Sequence, residues 1–190
     1  GPEDEEIPVI VYGDTANATA TSPQYDIDWP SLADSPWPMA IVNQQGLSRT
    51  NMPVLENCTI EWYLELPGQT EYGSAVGPDG TIYTMAKNGY LNAISPDGEL
   101  KWTVGDTTLK IRSGPIVGAD STIYIGCFNT GEFGTPNGGF AALHPDGTVK
   151  WEIKKTEDFN ELRPFMGKDG TLYARTKAGM LYAIDQQGNI

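Results

Sequence analysis

The sequence predicts an all-β protein, a β-propeller of four-stranded antiparallel blades with about three blades present. Three observations carry that prediction. A phrase recurs along the chain: Thr81-Ile82-Tyr83 returns as Thr122-Ile123-Tyr124 and as Thr171-Leu172-Tyr173, and Leu100-Lys101-Trp102 returns as Val149-Lys150-Trp151. Between these stand turn-formers, "GPDG", "AKNG" and "SPDG" in the first copy, whose closing Asp-Gly or Asn-Gly tolerates the positive φ of tight hairpins. No window keeps apolar residues at helical spacing over three turns. Four short strands per copy, at a period of about 41 residues, are the signature of propeller blades, which bury their faces against one another.

The elements follow in order. Gly1-Pro2 reads as a cloning remnant, and "EDEE" after it as the tether of an exported protein. Residues 1–34 are expected to form an acidic tail and extended linker. Within it Ile7–Tyr12, "IPVIVY", is β-prone and suited to adding onto an open sheet edge. Trp29 and Trp37 are expected to tuck against the blades, because a free linker would leave both rings in water.

The partial propeller is placed at 35–190. Ile60-Glu61-Trp62 repeats the tail of a blade with no blade before it, an orphan outer strand. The first blade, about 73–104, resolves into strands at Gly73–Val76, Thr81–Met85, Tyr90–Ile94 and Glu99–Val104. The pairs Ala93-Ile94, Ala142-Leu143 and Ala183-Ile184 supply small and branched residues for stacking. The repeated Tyr and Trp are expected as large buried anchors in the wider outer part of each wedge.

The second blade, about 112–153, carries roughly eight extra residues between Ile125 and Gly138. Insertions in repeat proteins form loops on one face, often the binding face. Phe128 and Phe133 are therefore candidate aromatic contacts for a sugar or a partner, and Glu132 a candidate acceptor. The third blade, about 162–190, stops two residues short of the position where its sisters place Trp. Complete propellers have four to eight blades, so three leave apolar faces open at the ends. Truncation of a longer protein is the favoured expectation, followed by closure between copies and then by capping with the N-terminal segment. In the first two cases the strand Gly188–Ile190 is incomplete or pairs with another segment.

Composition removes several function classes. With 25 acidic and 12 basic residues the net charge is −13, which repels phosphate backbones and argues against a nucleic-acid partner. No apolar run reaches the length of a membrane span. Cys58 and Cys127 are compatible both with a long-range disulfide and with two buried thiols. Asn17 and Asn57 open glycosylation sequons. The Asp-Gly pairs offer too few carboxylates for a calcium loop and read as turns. His144, the single histidine, precedes Pro145-Asp146-Gly147 at a position held by Ser95 and Asp185 in the sister copies, which reads as turn surface. Nothing supplies a nucleophile elbow or a phosphate loop.

The residues Leu91, Ala93, Ile94, Asp97, Gly98, Lys101 and Trp102 make up one copy of a recognisable pattern. Phe140, Ala142, Leu143, Asp146, Gly147, Lys150 and Trp151 make a second, and Leu181, Ala183, Ile184 and Gly188 a partial third. The pattern resembles the repeats of the PQQ-like propeller superfamily, and Ser35–Asn51 is similar to the lead-in before the first blade of its bacterial members. The resemblance covers about 35–190 and implies the propeller fold. Enzymes of that group hold a quinone between a Trp and a disulfide of adjacent cysteines, with calcium nearby; this chain has no adjacent cysteine pair, and no cofactor, metal or catalytic residue is expected. The reading is a non-enzymatic exported module, extracellular, at the cell surface or periplasmic. It would act as a scaffold or binding surface for protein or glycan and self-associate through exposed blade faces. The alternative is a fragment of a quinone-dependent dehydrogenase or a carbohydrate-active propeller enzyme.

Overall fold

One turn, used seven times among the described residues, sets the layout. The amide of Gly77 donates to the Thr81 carbonyl at 2.8 Å and the amide of Gly80 to the Gly77 carbonyl at 3.0 Å, closing a three-residue loop. The same two bonds close Ala86–Tyr90, Ser95–Glu99, Gly118–Thr122, His144–Thr148, Gly167–Thr171 and Asp185–Asn189. The last loop residue must adopt the left-handed conformation. Glycine does so at six of the seven loops, with φ between 79° and 93°, and Ser121 does so at the seventh with φ 63°.

This computed structural model describes residues 30–35, 38–39, 60–66, 68, 70–86, 88–105, 109–111, 113–129, 138–155, 164–175 and 179–190. Within them the fold is all-β, three antiparallel sheets with no helix. The first sheet is a meander of β1 (Thr70–Val76), β2 (Ile82–Ala86), β3 (Leu91–Ile94) and β4 (Leu100–Val104). These strands coincide with the four expected ones to within a residue, except that β1 starts earlier. The second has five: β5 (Leu109–Ile111) and β6 (Ile116–Val117) both pair with β7 (Ile123–Asn129), which continues to β8 (Gly138–Leu143) and β9 (Val149–Lys155). The third comprises β10 (Phe165–Met166), β11 (Leu172–Arg175) and β12 (Leu181–Ile184).

Side chains alternate across a strand, so each sheet has two faces to cover. One face of the first sheet, with Ala75, Tyr83, Met85, Leu91 and Ala93, packs on Ile111, Val117, Ile123, Ile125, Ala141 and Leu143 of the second. The opposite face of the second, with Ile116, Tyr124, Phe140 and Ala142, packs on Met166, Leu172, Ala174 and Ile184 of the third. The corresponding Tyr83 and Tyr124 are almost wholly enclosed, 2% and 1% exposed. Burial, reinforced by the negative charges of Asp79 and Asp120, pushes both phenols up to about 12.

A tryptophan at the tail of one sheet is latched onto the next. The indole N–H of Trp102 donates to the Pro145 carbonyl at 2.9 Å, and that of Trp151 to the Gln186 carbonyl at 2.8 Å. Trp62 makes the same bond to Pro96 at 2.8 Å. In each case the ring lies on the left-handed glycine of the turn: an added Cβ would sit 2.5 Å from Trp62 at Gly98, 3.0 Å from Trp102 at Gly147 and 2.9 Å from Trp151 at Gly188. The tryptophans are therefore half-exposed clasps, not the buried anchors the sequence suggested, since their N–H must reach a surface turn. Residues 60–66 form no strand, because no described neighbour offers them a ladder of hydrogen bonds, yet Trp62 fills the clasp position all the same.

The segment around Ser31–Met39 ties all three sheets at their first strands. Ala33 donates to the Val117 carbonyl, Ala119 to the Ser31 carbonyl and Val117 to the Pro38 carbonyl, with bridges Leu32–Gly118 and Met39–Ile116. The Ser31 hydroxyl donates to the Gly167 carbonyl of the third sheet at 2.6 Å, and the Ser35 hydroxyl to the Val76 carbonyl of the first. Ala33 joins the core between the first and second sheets; Leu32 and Met39 join the core between the second and third. The expected linker boundary at residue 34 thus falls inside a bonded strap. Ile7–Tyr12, Trp29, Trp37, most of Ser35–Asn51, Asn17, Asn57 and Cys58 lie outside the described residues. At the other end, Gly188–Ile190 completes a turn and forms no strand.

Three outcomes follow. Ser121→Gly relieves a non-glycine residue from the left-handed region and raises stability by about 0.5–1 kcal/mol in urea unfolding. Gly147→Ala costs about 1–3 kcal/mol more than Gly179→Ala: both glycines have positive φ, but only Gly147 lies under a ring, whereas Gly179 has open space around its Cβ position. In alkaline titration at least two tyrosines, Tyr83 and Tyr124, ionise only near pH 12 or on unfolding. Their folded pKa is raised, so the stability tied to the neutral phenols is present below pH 10 and lost as pH climbs through about 12.

Candidate functional site

Most repeated polar residues are consumed by the repeat itself. Asp79 Oδ1 accepts the Thr81 amide at 3.0 Å and Oδ2 the Thr81 hydroxyl at 2.7 Å, while Lys101 Nζ reaches Thr81 Oγ1 at 2.8 Å and Asp79 Oδ2 at 3.4 Å. Asp120, Thr122 and Lys150 repeat the cluster, with Lys150 Nζ 3.0 Å from Asp120 Oδ2. Asp169 and Thr171 repeat its first half. These clusters pin the turn after the first strand, and the lysine ties it to the fourth strand. Desolvation alone would raise the Asp79 and Asp120 carboxyls, but the threonine hydrogen bonds and the lysine charge outweigh it and hold both below the ordinary value. The recurrence of Asp, Thr and Lys at fixed offsets was visible in the sequence; its meaning as one cluster was not.

The candidate loop rests on an extension of the second sheet. In the first repeat the β2–β3 ladder ends at Met85–Leu91. In the second it runs two pairs further, through Cys127–Gly139 and Phe128–Gly138. β5 adds to this extension, with Lys110 opposite Phe128 and Ile111 opposite Cys127, and β9 flanks its far side, with Lys155 opposite Gly138. Gly139 is obligatory there, since a Cβ would lie 2.1 Å from the Ile153 carbonyl oxygen. Of the three candidate residues, Phe128 is the penultimate residue of β7, which places it at the root of the loop. Glu132 and Phe133 lie outside the described residues. The extra strand β5 was absent from the expected four-strand plan, because three residues between loops give no periodicity to read.

His144 is exposed and serves the turn through its backbone, donating to Thr148 and accepting from Gly147. Asp146 accepts the Thr148 amide and hydroxyl at 2.9 and 2.6 Å, as the turn reading expected. Among the described residues no group of three His, Cys, Asp or Glu side chains could hold a metal ion. No described helix is long and apolar enough to cross a membrane.

Sequence reasoning missed a polar row on the face of the first sheet that points away from the second. Ser74, Thr84, Asn92 and Thr103 are successive partners across its four strands. Ser74 donates to Thr84 at 2.8 Å and Thr103 to Asn92 Oδ1 at 2.9 Å. Asn92 is fully buried and its Nδ2 has no hydrogen-bond partner. At the matching places the second sheet has Pro115, Ile125, Ala141 and Glu152, so its two central strands carry apolar residues where the first sheet has Thr84 and Asn92.

The depressed carboxyls give a pH expectation. Their stabilisation is complete above the unfolded value near 4 and is lost as pH falls through the lower folded value. Urea midpoints should drop between about pH 4 and pH 2, and Asp79→Asn with Asp120→Asn should flatten that drop.

Comparison with known proteins places the chain within sight of uncharacterised relatives. No family model matches it. It is 29% identical over 64 residues to the uncharacterised protein YxaL of Bacillus subtilis, a match spanning 33% of this chain and 16% of that one. A solved structure of a protein of unknown function from Bacteroides caccae aligns with 84% of this chain and 54% of its own, at 14% identity and a TM-score of 0.49. The chain thus spans about half the length of that structure and a smaller share of the Bacillus protein.

Proposed function

We propose that the three sheets are consecutive blades of a PQQ-like β-propeller, and that the chain is a non-enzymatic exported module presenting a binding surface to a protein or glycan partner. The blade reading draws on the tryptophan clasp, which joins an indole to a later hairpin turn with one geometry three times over. The binding reading rests on a single observation: among the described residues the second repeat alone extends its central hairpin, with β5 paired alongside the extension. β5, whose Ile111 also packs between the first and second sheets, braces the root of the Phe128–Gly138 loop. Binding residues are characteristically carried on loops held by a rigid scaffold.

The test is to replace residues 129–137 with the tight Asn88-Gly89 turn of the first repeat and to compare both proteins on immobilised glycans and envelope proteins. Thermal melting within a few degrees of the parent and loss of every specific interaction is the expected result. Binding retained by the shortened protein refutes the loop as the site. The enzyme-fragment reading is tested separately by adding quinone and calcium to the parent, with no spectral change and no thermal shift expected.

A further inference from the structure

The second sheet outruns both of its neighbours at the hairpin end. The central ladder of the first sheet ends at the rung Met85–Leu91, and that of the third at Arg175–Leu181. The matching rung of the second is Gly126–Phe140, and two more follow it, Cys127–Gly139 and Phe128–Gly138. Two residues of strand add about 7 Å, so among the described residues these rungs stand beyond the ladder of either neighbour. The last rung belongs to a row that crosses four strands: Lys110 of β5, Phe128 of β7, Gly138 of β8 and Lys155 of β9. Period two puts this row on the same face as Tyr124, Phe140 and Ile153, the face that packs on the third sheet. It is the first row on that face to lie past the third sheet's last rung.

We propose that this row binds an acidic glycan, one whose sugar rings carry carboxylates. The inference rests on the reading of this region as a binding surface, and it names the ligand class. Two cations bracket an aromatic residue, and neither this row nor the next one inward on its face, Gly126, Phe140 and Ile153, holds a carboxylate. Such a row is out of keeping with a chain of 25 acidic and 12 basic residues. Lys101, Lys150 and Lys154, by contrast, each stand within 3.4 Å of a carboxylate of their own repeat. Three strand spacings set the two lysine backbones about 14 Å apart, a span suited to a ligand whose charge recurs along its length. Gly138 between them is buried, so contact falls to Lys110, Phe128 and Lys155. A sugar offers an apolar C–H face to an aromatic ring, and carboxylates at its edge attract the compact ammonium charges. Charges farther off than about 10 Å are screened at 0.1 M salt, so the net charge of −13 does not cancel the two lysines locally. A chain of uronic acids meets both needs. An acidic peptide answers the charge without the sugar face, and a neutral glycan answers the ring without the charge.

Calorimetric titration of the intact chain with oligogalacturonate and hyaluronan oligosaccharides, with the methyl ester of each and with poly-L-glutamate, tests this. The expected result is that at least one free acid binds, and that its ester and polyglutamate bind about tenfold more weakly or worse. Lys110→Glu and Lys155→Glu should each weaken binding of the acid by about tenfold and leave the residual affinity for the ester unchanged. Phe128→Ala should weaken acid and ester alike. Lys154→Glu carries the same change of net charge on the opposite face and should stay within about twofold of the parent. Melting temperatures report the folding of every variant. Failure of both acids to bind overturns the proposal, as does acid binding that ignores the reversal of Lys110 and Lys155. Polyglutamate bound as tightly as the acid overturns the glycan as ligand. An ester bound as tightly as its acid overturns the charge requirement and leaves the reading of a binding surface intact. Acid binding that survives replacement of residues 129–137 refutes the loop and keeps the row.

Discussion

The structure depends on a ring resting where a side chain is missing. Each hairpin loop ends in a left-handed residue, and glycine at that place serves two needs: it accepts the positive φ and leaves room for the tryptophan of the preceding repeat. The indole then donates to the carbonyl one residue before the Asp or Gln of the turn, fixing the distance between sheets. The two requirements coincide at Gly98, Gly147 and Gly188. At Ser121 the conformational need applies and no described indole lies on that turn, and a serine is tolerated at a cost of order 1 kcal/mol.

The clasps have a direction, and the sheets share it. Tryptophan reaches from one repeat forward to the next, and the core side chains follow the same order, Tyr83 into the second sheet and Tyr124 into the third. The first sheet departs from the second on the face that points backward: at the two central strands Thr84 and Asn92 stand where the second sheet has Ile125 and Ala141. The third sheet keeps the aromatic and small residues of the other two on its forward face. The polarity at one end and the greasiness at the other follow from one pattern of alternation.

Against so regular a background, irregularity carries the functional information. The Asp–Thr–Lys clusters, the Asp-Gly turns and the tryptophans recur, so their chemistry is explained by holding repeats together. The second hairpin does not recur. Among the described residues its longer ladder and Gly139 under the Ile153 carbonyl are found in that repeat alone. That contrast, between what three copies share and what one copy adds, is the reason for placing a binding surface there.

The sequence by itself determined the number of repeats, the strands of the first and the turns between strands. These depend on neighbours a few residues apart: alternation at period two, and Asp-Gly or Asn-Gly where φ turns positive. The central strands β2, β3 and β4 were therefore legible nearly to the residue. Phe128 was legible as a departure from the repeat, because a changed spacing shows in an alignment of the chain with itself. The strap was not: Ser31 meets Gly167 across 136 positions, and nothing in Ser-Leu-Ala announces a partner so distant. Nor did the tryptophans disclose that they would be half-exposed clasps, since hydrophobicity records a ring's wish to leave water but not the carbonyl its N–H must find. Which faces are sealed against one another was decided by tertiary structure alone, because the matching Tyr and Ala are core in two sheets and half-buried or exposed in the third according to what lies opposite.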